Sequence, residues 1–262
     1  MKATSPTILA LDFDGVICDG LTEYFQVAWR TYCQIWSPVE KRPPDNLANK
    51  FYQLRPVIET GWEMPVLIRA LIKEIPEEKI LQEWGNIVKE ILQTENLDAT
   101  EIGINLDRLR DEWIETDLEG WLSLHRFYPG LIDRIKEIVA SPTKLYIIST
   151  KEGRFVHKLL QQQGIDLGPK EIFGKESKRP KYEILRELIH SHNELAPDGV
   201  WFVEDRLKTL QLVATQEDLQ QVRLFLADWG YNTPSEKVTA KNDPRIQLLS
   251  LSQFGKDFSQ WN

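Results

Sequence analysis

Along most of this chain, short apolar runs rich in β-branched and aromatic residues alternate with longer stretches whose apolar residues recur every three or four positions. Thr7–Leu11 (TILAL) is the first such run; Pro6 precedes it and acidic and glycine residues follow, the mark of a buried central strand. Lys144–Ile148 (KLYII), Val200–Val203 (VWFV) and Val222–Ala227 (VRLFLA) repeat the type, and Ile246–Leu249 adds a fifth. Helical periodicity occupies Gly130–Ala140, Arg154–Gln163, Lys181–His190 and Leu207–Ala214 between them. Such alternation predicts an α/β fold with a parallel, doubly wound sheet, because a helix is the usual way to return the chain for another parallel strand.

The interval from Gly20 to His125 breaks this rhythm. It contains no strand-like run, and its patterns predict helices over Leu21–Trp36, Asn46–Glu59, Met64–Ile75, Glu77–Leu97 and Leu106–Leu122. Pro38, Pro43, Pro44, Pro65 and Pro76 punctuate these stretches near helix starts or loops. Six of the nine tryptophans fall here (Trp29, Trp36, Trp62, Trp84, Trp113 and Trp121), enough to fill a small helical core of their own. The expected organisation is a core made of residues 1–19 and 126–262, with a helical insertion over 20–125.

Length and composition narrow the functional class. A chain of 262 residues with 42% hydrophobic and 27% charged residues can bury a sizeable core without disulfides or structural metals. A net charge of -8 argues against nucleic acid or an anionic membrane as partner, while leaving room for a local basic pocket. Two cysteines, Cys18 and Cys33, make neither a disulfide framework nor a Cys-rich zinc pattern, which suits a reducing compartment. The first residues have too short an apolar stretch for a secretory signal, and no run approaches the ~20 residues that span a bilayer. The expectation is a cytoplasmic, enzyme-sized protein.

The strongest chemical signal is Leu11-Asp12-Phe13-Asp14-Gly15-Val16, at the end of the first strand. Residues two apart in an extended chain face the same way, so Asp12 and Asp14 converge at the carboxyl edge of the sheet, where open α/β sheets bind ligands. Two carboxylates so close ionise together only with a cation at hand; one can then act as nucleophile or metal ligand while the other carries a proton. Gly15 lets the chain turn away sharply. Ser149-Thr150 ends the second core strand with hydroxyls that can hold phosphate oxygens or simply cap a helix. Glu204-Asp205 ends the next with two acids suited to a hard divalent cation, or again to a helix cap. Between these strands, Gly174-Lys175-Glu176-Ser177-Lys178-Arg179-Pro180-Lys181 is basic enough to set a cation beside a phosphate.

This set resembles the haloacid dehalogenase-like hydrolase superfamily. Asp12-Phe13-Asp14-Gly15-Val16 looks like its first motif, Ser149 its second, Lys181 its third and Glu204-Asp205 its fourth; Tyr128-Pro129-Gly130, leading into a helix, is also similar. The resemblance covers the whole chain and implies a Rossmann-like core over residues 7–17 and about 126–250, with the inserted helices as a cap. In this sequence Glu204 precedes Asp205 and Thr209 stands where a further acid is frequent in the family, so metal ligation falls to Asp205 before Glu204. Lys175, Lys178 and Arg179 compete with Lys181 for the third motif; Lys181 is preferred because it opens an amphipathic helix with family-like lysine-to-leucine spacing.

Other phosphate-handling readings fit less well. Gly168 to Lys175 has P-loop spacing wrong by one residue, and Glu176 stands where Ser or Thr would bind magnesium. No Gly-x-Gly-x-x-Gly follows the first strand, and Ser149 is in no Gly-x-Ser-x-Gly elbow. His125, His157, His190 and His192 form no zinc-like cluster. Within the family, the acid at Asp14 points to phosphoryl transfer, because ester cleavage needs a proton delivered to the leaving oxygen. The resemblance therefore implies a magnesium-dependent phosphatase for a small phosphorylated metabolite. In it Asp12 is the nucleophile and Asp14 the acid and base; Asp12, the Asp14 carbonyl and Asp205 hold Mg2+, while Ser149, Thr150 and Lys181 hold the phosphate. A phosphosugar mutase, or a regulator that binds a phosphorylated ligand without turnover, are the alternatives. In the insertion, Arg55, Trp62 and Arg69 are candidate substrate-selecting side chains, or else simply surface charge and part of the helical core. Oligomeric state is not legible.

Overall fold

The computed structural model describes residues 5–191 and 199–261, so His192 lies outside the described residues. The chain divides into two compact units: Met1–Asp19 with Phe127–Asn262, and Gly20–Arg126.

The first unit is built on a six-stranded sheet, all of whose neighbouring strands pair in parallel. Its strands are β1 (Ile8–Leu11), β4 (Lys144–Ile148), β5 (Ile172–Phe173), β6 (Val200–Glu204), β7 (Arg223–Ala227) and β8 (Ile246–Leu249), arranged β5-β4-β1-β6-β7-β8. Two short strands, β2 (Cys18–Asp19) and β3 (Arg126–Phe127), pair with each other instead. The two-residue β5 carried no periodic signal and was absent from the expected strands; it is strand because Ile147 and Ser149 donate to Glu171 and Phe173 carbonyls along the edge of β4.

Alternation along each strand builds the two faces. Ile8, Ala10, Val200, Phe202, Leu224 and Leu226 join one buried cluster with α9 (Lys181–Ser191) and α10 (Leu207–Ala214), which follow α7 (Leu131–Val139) and α8 (Gly153–Gln162) along the chain. Trp201 and Phe225, with ring centroids 5.3 Å apart, point to the other face, where Phe258 and Trp261 pack on them with ring centroids 5.5 to 5.7 Å from Trp201 or Phe225. Apolar residues on both faces of the same strands explain why their runs are almost continuously hydrophobic. The order also puts the switch point of the sheet around β1: the chain goes from β1 to β4 and β5 on one side, then returns to β6, β7 and β8 on the other.

The second unit is helical: α1 (Leu21–Trp36), α2 (Leu47–Leu54), α3 (Glu63–Ile72), α4 (Glu77–Thr94), α5 (Ala99–Thr116) and α6 (Leu118–Leu122). The expected helix over Leu106–Leu122 is corrected here. It starts at Ala99, because the Asp98 carboxylate accepts from the Thr100 and Glu101 N–H groups, and it breaks at Asp117, whose side chain caps α6 at Gly120. Trp29, Trp84, Trp113 and Trp121 are buried in this unit. Glu23 is buried with them and is matched by Arg110 Nε at 2.8 Å and Trp121 Nε1 at 3.1 Å, so no buried charge is left uncompensated there. Arg69 bonds Glu95 within this unit, and Arg55 donates to the Ile58 carbonyl. No described helix is long and apolar enough to cross a membrane.

Candidate active site

Three strand ends converge at the switch point. Leu11 is in register with Ile147 of β4 and Val203 of β6, so the chain leaves β1, β4 and β6 at one level, and Asp12, Ser149 and Glu204-Asp205 follow at the same edge. The Asp12 N–H donates to the Val203 carbonyl at 2.9 Å, prolonging the β1–β6 ladder by one residue and fixing the Asp12 backbone. Beyond it the chain curls tightly: Ile17 and Cys18 both donate to the Phe13 carbonyl, and Gly15 donates to that of Cys18. Gly15 adopts a φ of +85°, and a Cβ there would lie 2.0 Å from Asp205 Oδ2, so only glycine fits this turn.

Lys181 Nζ is the centre of the arrangement. From the first turn of α9 it reaches Asp12 Oδ1 at 2.9 Å and Glu204 Oε2 at 2.7 Å. Lys175, Lys178 and Arg179 do not make this contact and instead border an adjoining cavity. The other oxygen of Glu204 accepts from the Asp205 and Arg206 N–H groups at 3.2 and 3.0 Å, leaving this wholly buried carboxylate fully engaged. Asp205 Oδ2 accepts from the Tyr231 N–H at 2.7 Å, while Asn232 Nδ2 ties the Asp205 carbonyl to that of Ala227. Asp14 is not part of this cluster and pairs with Lys151 Nζ at 3.3 Å, although its charge still acts on Asp12. Ser149 is buried, with its Oγ accepting from the Lys151 N–H at 3.1 Å; Thr150 is exposed.

Charge is out of balance here. Asp12, Glu204 and Asp205 each present an oxygen within 4.8 Å of the others, against the one ammonium of Lys181 among them. Burial, together with the Glu204 charge, pushes the Asp12 carboxyl up to about 8 in spite of Lys181. Burial and the Asp12 charge push Asp205 up to about 6, although Arg206 and the Tyr231 N–H oppose this; burial raises Glu204 as well. For Lys181 burial works downward, but Asp12 and Glu204 outweigh it and hold the ammonium firmly charged. Buried hard oxygen donors with an excess of negative charge fit a small divalent cation. Asp12 and Asp205 have the chemistry to hold one; Glu204 serves Lys181 and the backbone.

Two parts of the site escaped the sequence reading. Lys151 belongs to no motif read above, although it is a cation two residues beyond Ser149, at the same strand end. The Gly230-Tyr231-Asn232 loop was missed too, and its signal was a glycine and an asparagine just beyond a buried strand. A Cβ on Gly230 would lie 2.3 Å from that of Asp205, which shows how closely this loop is pressed onto the site. His125 bonds the Trp121 carbonyl and His157 that of Leu167, each through Nδ1.

Solved structures share this combination of a parallel sheet and a helical unit inserted between β2 and β3 over nearly their whole length, and three of them are named as phosphatases or as a haloacid dehalogenase-like hydrolase. One, provisionally named a phosphatase and from Clostridium difficile, has a TM-score of 0.61 at 14% identity, covering 95% of this chain and 96% of its own. Another, from Bacteroides fragilis and provisionally named a haloacid dehalogenase-like hydrolase, has a TM-score of 0.60 at 16% identity, covering 95% and 99%. A predicted phosphoglycolate phosphatase from Haemophilus somnus has a TM-score of 0.60 at 14% identity, covering 99% and 97%. No protein-family model and no curated protein sequence matches the chain.

Proposed function

We propose that this chain is a haloacid dehalogenase-like phosphatase that hydrolyses a small phosphorylated metabolite in the cytoplasm, with the inserted helical unit as its cap domain. The observation that carries the reading is the Lys181 ammonium held between Asp12 and Glu204, with Asp205 alongside and Asp14, two residues after Asp12, paired with Lys151. A carboxylate fixed at a strand end, beside a buried cation and spare negative charge, is suited to attack phosphorus. The likeness in fold to proteins named as phosphatases supports the same class.

In this mechanism the Asp12 carboxylate attacks the phosphorus and the bond to the leaving oxygen breaks, giving an aspartyl phosphate and an alcohol. Asp14 supplies the proton to that oxygen. It then takes a proton from the water that attacks the aspartyl phosphate, so that inorganic phosphate leaves and Asp12 is regenerated. Lys181, Ser149 and Thr150 hold the phosphoryl oxygens, and Lys151 keeps the Asp14 side chain in place between turnovers. Asp12, the Asp14 carbonyl and Asp205 would hold Mg2+, which when bound offsets the negative charge of nucleophile and phosphate.

The test is hydrolysis of p-nitrophenyl phosphate with Mg2+ and with chelator. The wild-type chain is expected to turn over only with the metal, and Asp12→Asn to be inactive while melting as a folded protein. Wild-type-like turnover by Asp12→Asn would remove the nucleophile assignment.

A further inference from the structure

The basic loop before α9 contributes more than Lys181. Next to Ser149 and Lys181 lies a cavity of about 220 Å³, bordered also by Thr150, Lys175, Lys178 and Arg179. Four of its bordering residues are cations and none is a carboxylate, in a chain whose net charge is -8. The one acid of the same loop, Glu176, turns its carboxylate to the Gly153 N–H at 3.0 Å. Lys181 bridges Asp12 and Glu204, and the exposed Arg179 pairs with Glu187. Lys178 has no ion-pair partner among the described residues. Its φ is +49°, a left-handed conformation unfavourable for a side chain, imposed by the short 3-10 turn over Lys175–Ser177 whose Lys175 carbonyl accepts the Lys178 N–H. A strained backbone that presents an unpaired ammonium at a cavity adjoining a phosphate site is a feature to expect of an anion-binding surface.

The geometry points to a substrate with a second anionic group, a phosphate or a carboxylate, seated in this cavity against Lys178 and Arg179 while the scissile phosphate is at Ser149 and Lys181. This rests on the phosphatase reading for the second half of the statement only; the cavity's preference for dianionic ligands can be measured without turnover. The probes are propylphosphonate and the same chain ending in a second phosphonate or in a carboxylate, with shorter and longer chains to vary the span. Binding to the wild-type protein is measured calorimetrically in Mg2+. The doubly anionic probes are expected to bind at least about tenfold more tightly at low salt, since charge-assisted contacts of this kind are each strong enough for such a factor. Whichever of phosphonate and carboxylate gains more identifies the second group. In Lys178→Gly with Arg179→Ala, both exposed changes, the advantage should fall to less than about twofold while thermal melting stays that of a folded protein. Equal binding of singly and doubly anionic probes by the wild type, or an advantage that survives the double substitution, overturns the inference. Hydrolysis of p-nitrophenyl phosphate without such an advantage would defeat the second anion alone. An advantage without any hydrolysis would keep the anion site and defeat the phosphatase.

Discussion

At the scale of single residues, the site is an unbalanced charge held in a buried place. Lys181 is only 12% exposed in its side chain and neutralises part of the charge of Asp12 and Glu204. Lys181→Met would leave Glu204 buried without a counter-charge, and breaking a pair of this kind costs about 3 kcal/mol or more. Urea unfolding in the absence of metal is the measurement; an unchanged midpoint would mean that Glu204 is held by the backbone N–H groups alone. Asp14 makes a different claim, since it touches none of the other acids and pairs with Lys151. Its proposed proton transfer is worth ~10²- to 10⁴-fold, so Asp14→Asn should lose about that much in single-turnover release of an alkyl leaving group. An aryl phosphate, whose leaving group departs as an anion, should suffer far less in that step. Equal losses on the two would move Asp14 to a purely structural role.

At the scale of elements, the site depends on how tightly the turn after β1 and the loop after β7 close on the end of β6. Gly15 has both a positive φ and no room for a methyl group, with Asp205 Oδ2 at 2.0 Å and the Tyr231 ring at 2.9 Å from the Cβ position. Gly15→Ala is therefore expected to push Asp205 out of line, weakening Mg2+ binding in calorimetry at least about tenfold and lowering the melting temperature, as overpacking by one methyl costs ~1–3 kcal/mol. Unaltered metal affinity would show that Asp205 is not a ligand. The strands and helices themselves were largely legible, because fully buried strands need apolar runs and surface helices need one apolar face. Element ends were less so: Asp98 starts α5 ahead of its apolar pattern, and β5 is too short to have a pattern at all.

At the scale of the whole molecule, the excess acid couples protonation to stability. Burial and the neighbouring acids push Asp12 up to about 8 and Asp205 up to about 6 in the folded chain, against an ordinary 3.8 when unfolded. The folded state thus keeps protons that the unfolded state releases. This contribution is complete below the unfolded value and is lost as pH rises through 6 and then 8. In chelator, the melting temperature is expected to fall between about pH 5.5 and about pH 8.5, a window above the titration of ordinary carboxylates. Mg2+ binds the deprotonated acids, so its stabilisation should be larger at the upper end than at the lower. Scanning calorimetry at the two pH values, with and without metal, checks the sign; a flat profile in chelator and equal metal increments would contradict it.

The alternation of apolar runs and amphipathic stretches, by itself, determined that this chain forms a parallel sheet interrupted by a helical insertion, since both are local consequences of which side chains must leave water. It also placed acids, hydroxyls and cations at strand ends. Which of the four cations of the 174–181 loop reaches Asp12 was not local: it depends on the direction in which α9 leaves the sheet, and only the packed chain puts Lys181 there. The same holds for Glu204, whose type suits a metal but whose position beneath Lys181 and over two backbone N–H groups makes it a counter-ion. Lys151 with Asp14 and the Tyr231 N–H with Asp205 are further pairs between segments distant or unremarked in sequence. Charge interactions act through space over a few ångströms, so their partners are decided by the tertiary structure, whereas hydrophobic patterning acts along the chain and can be read from it.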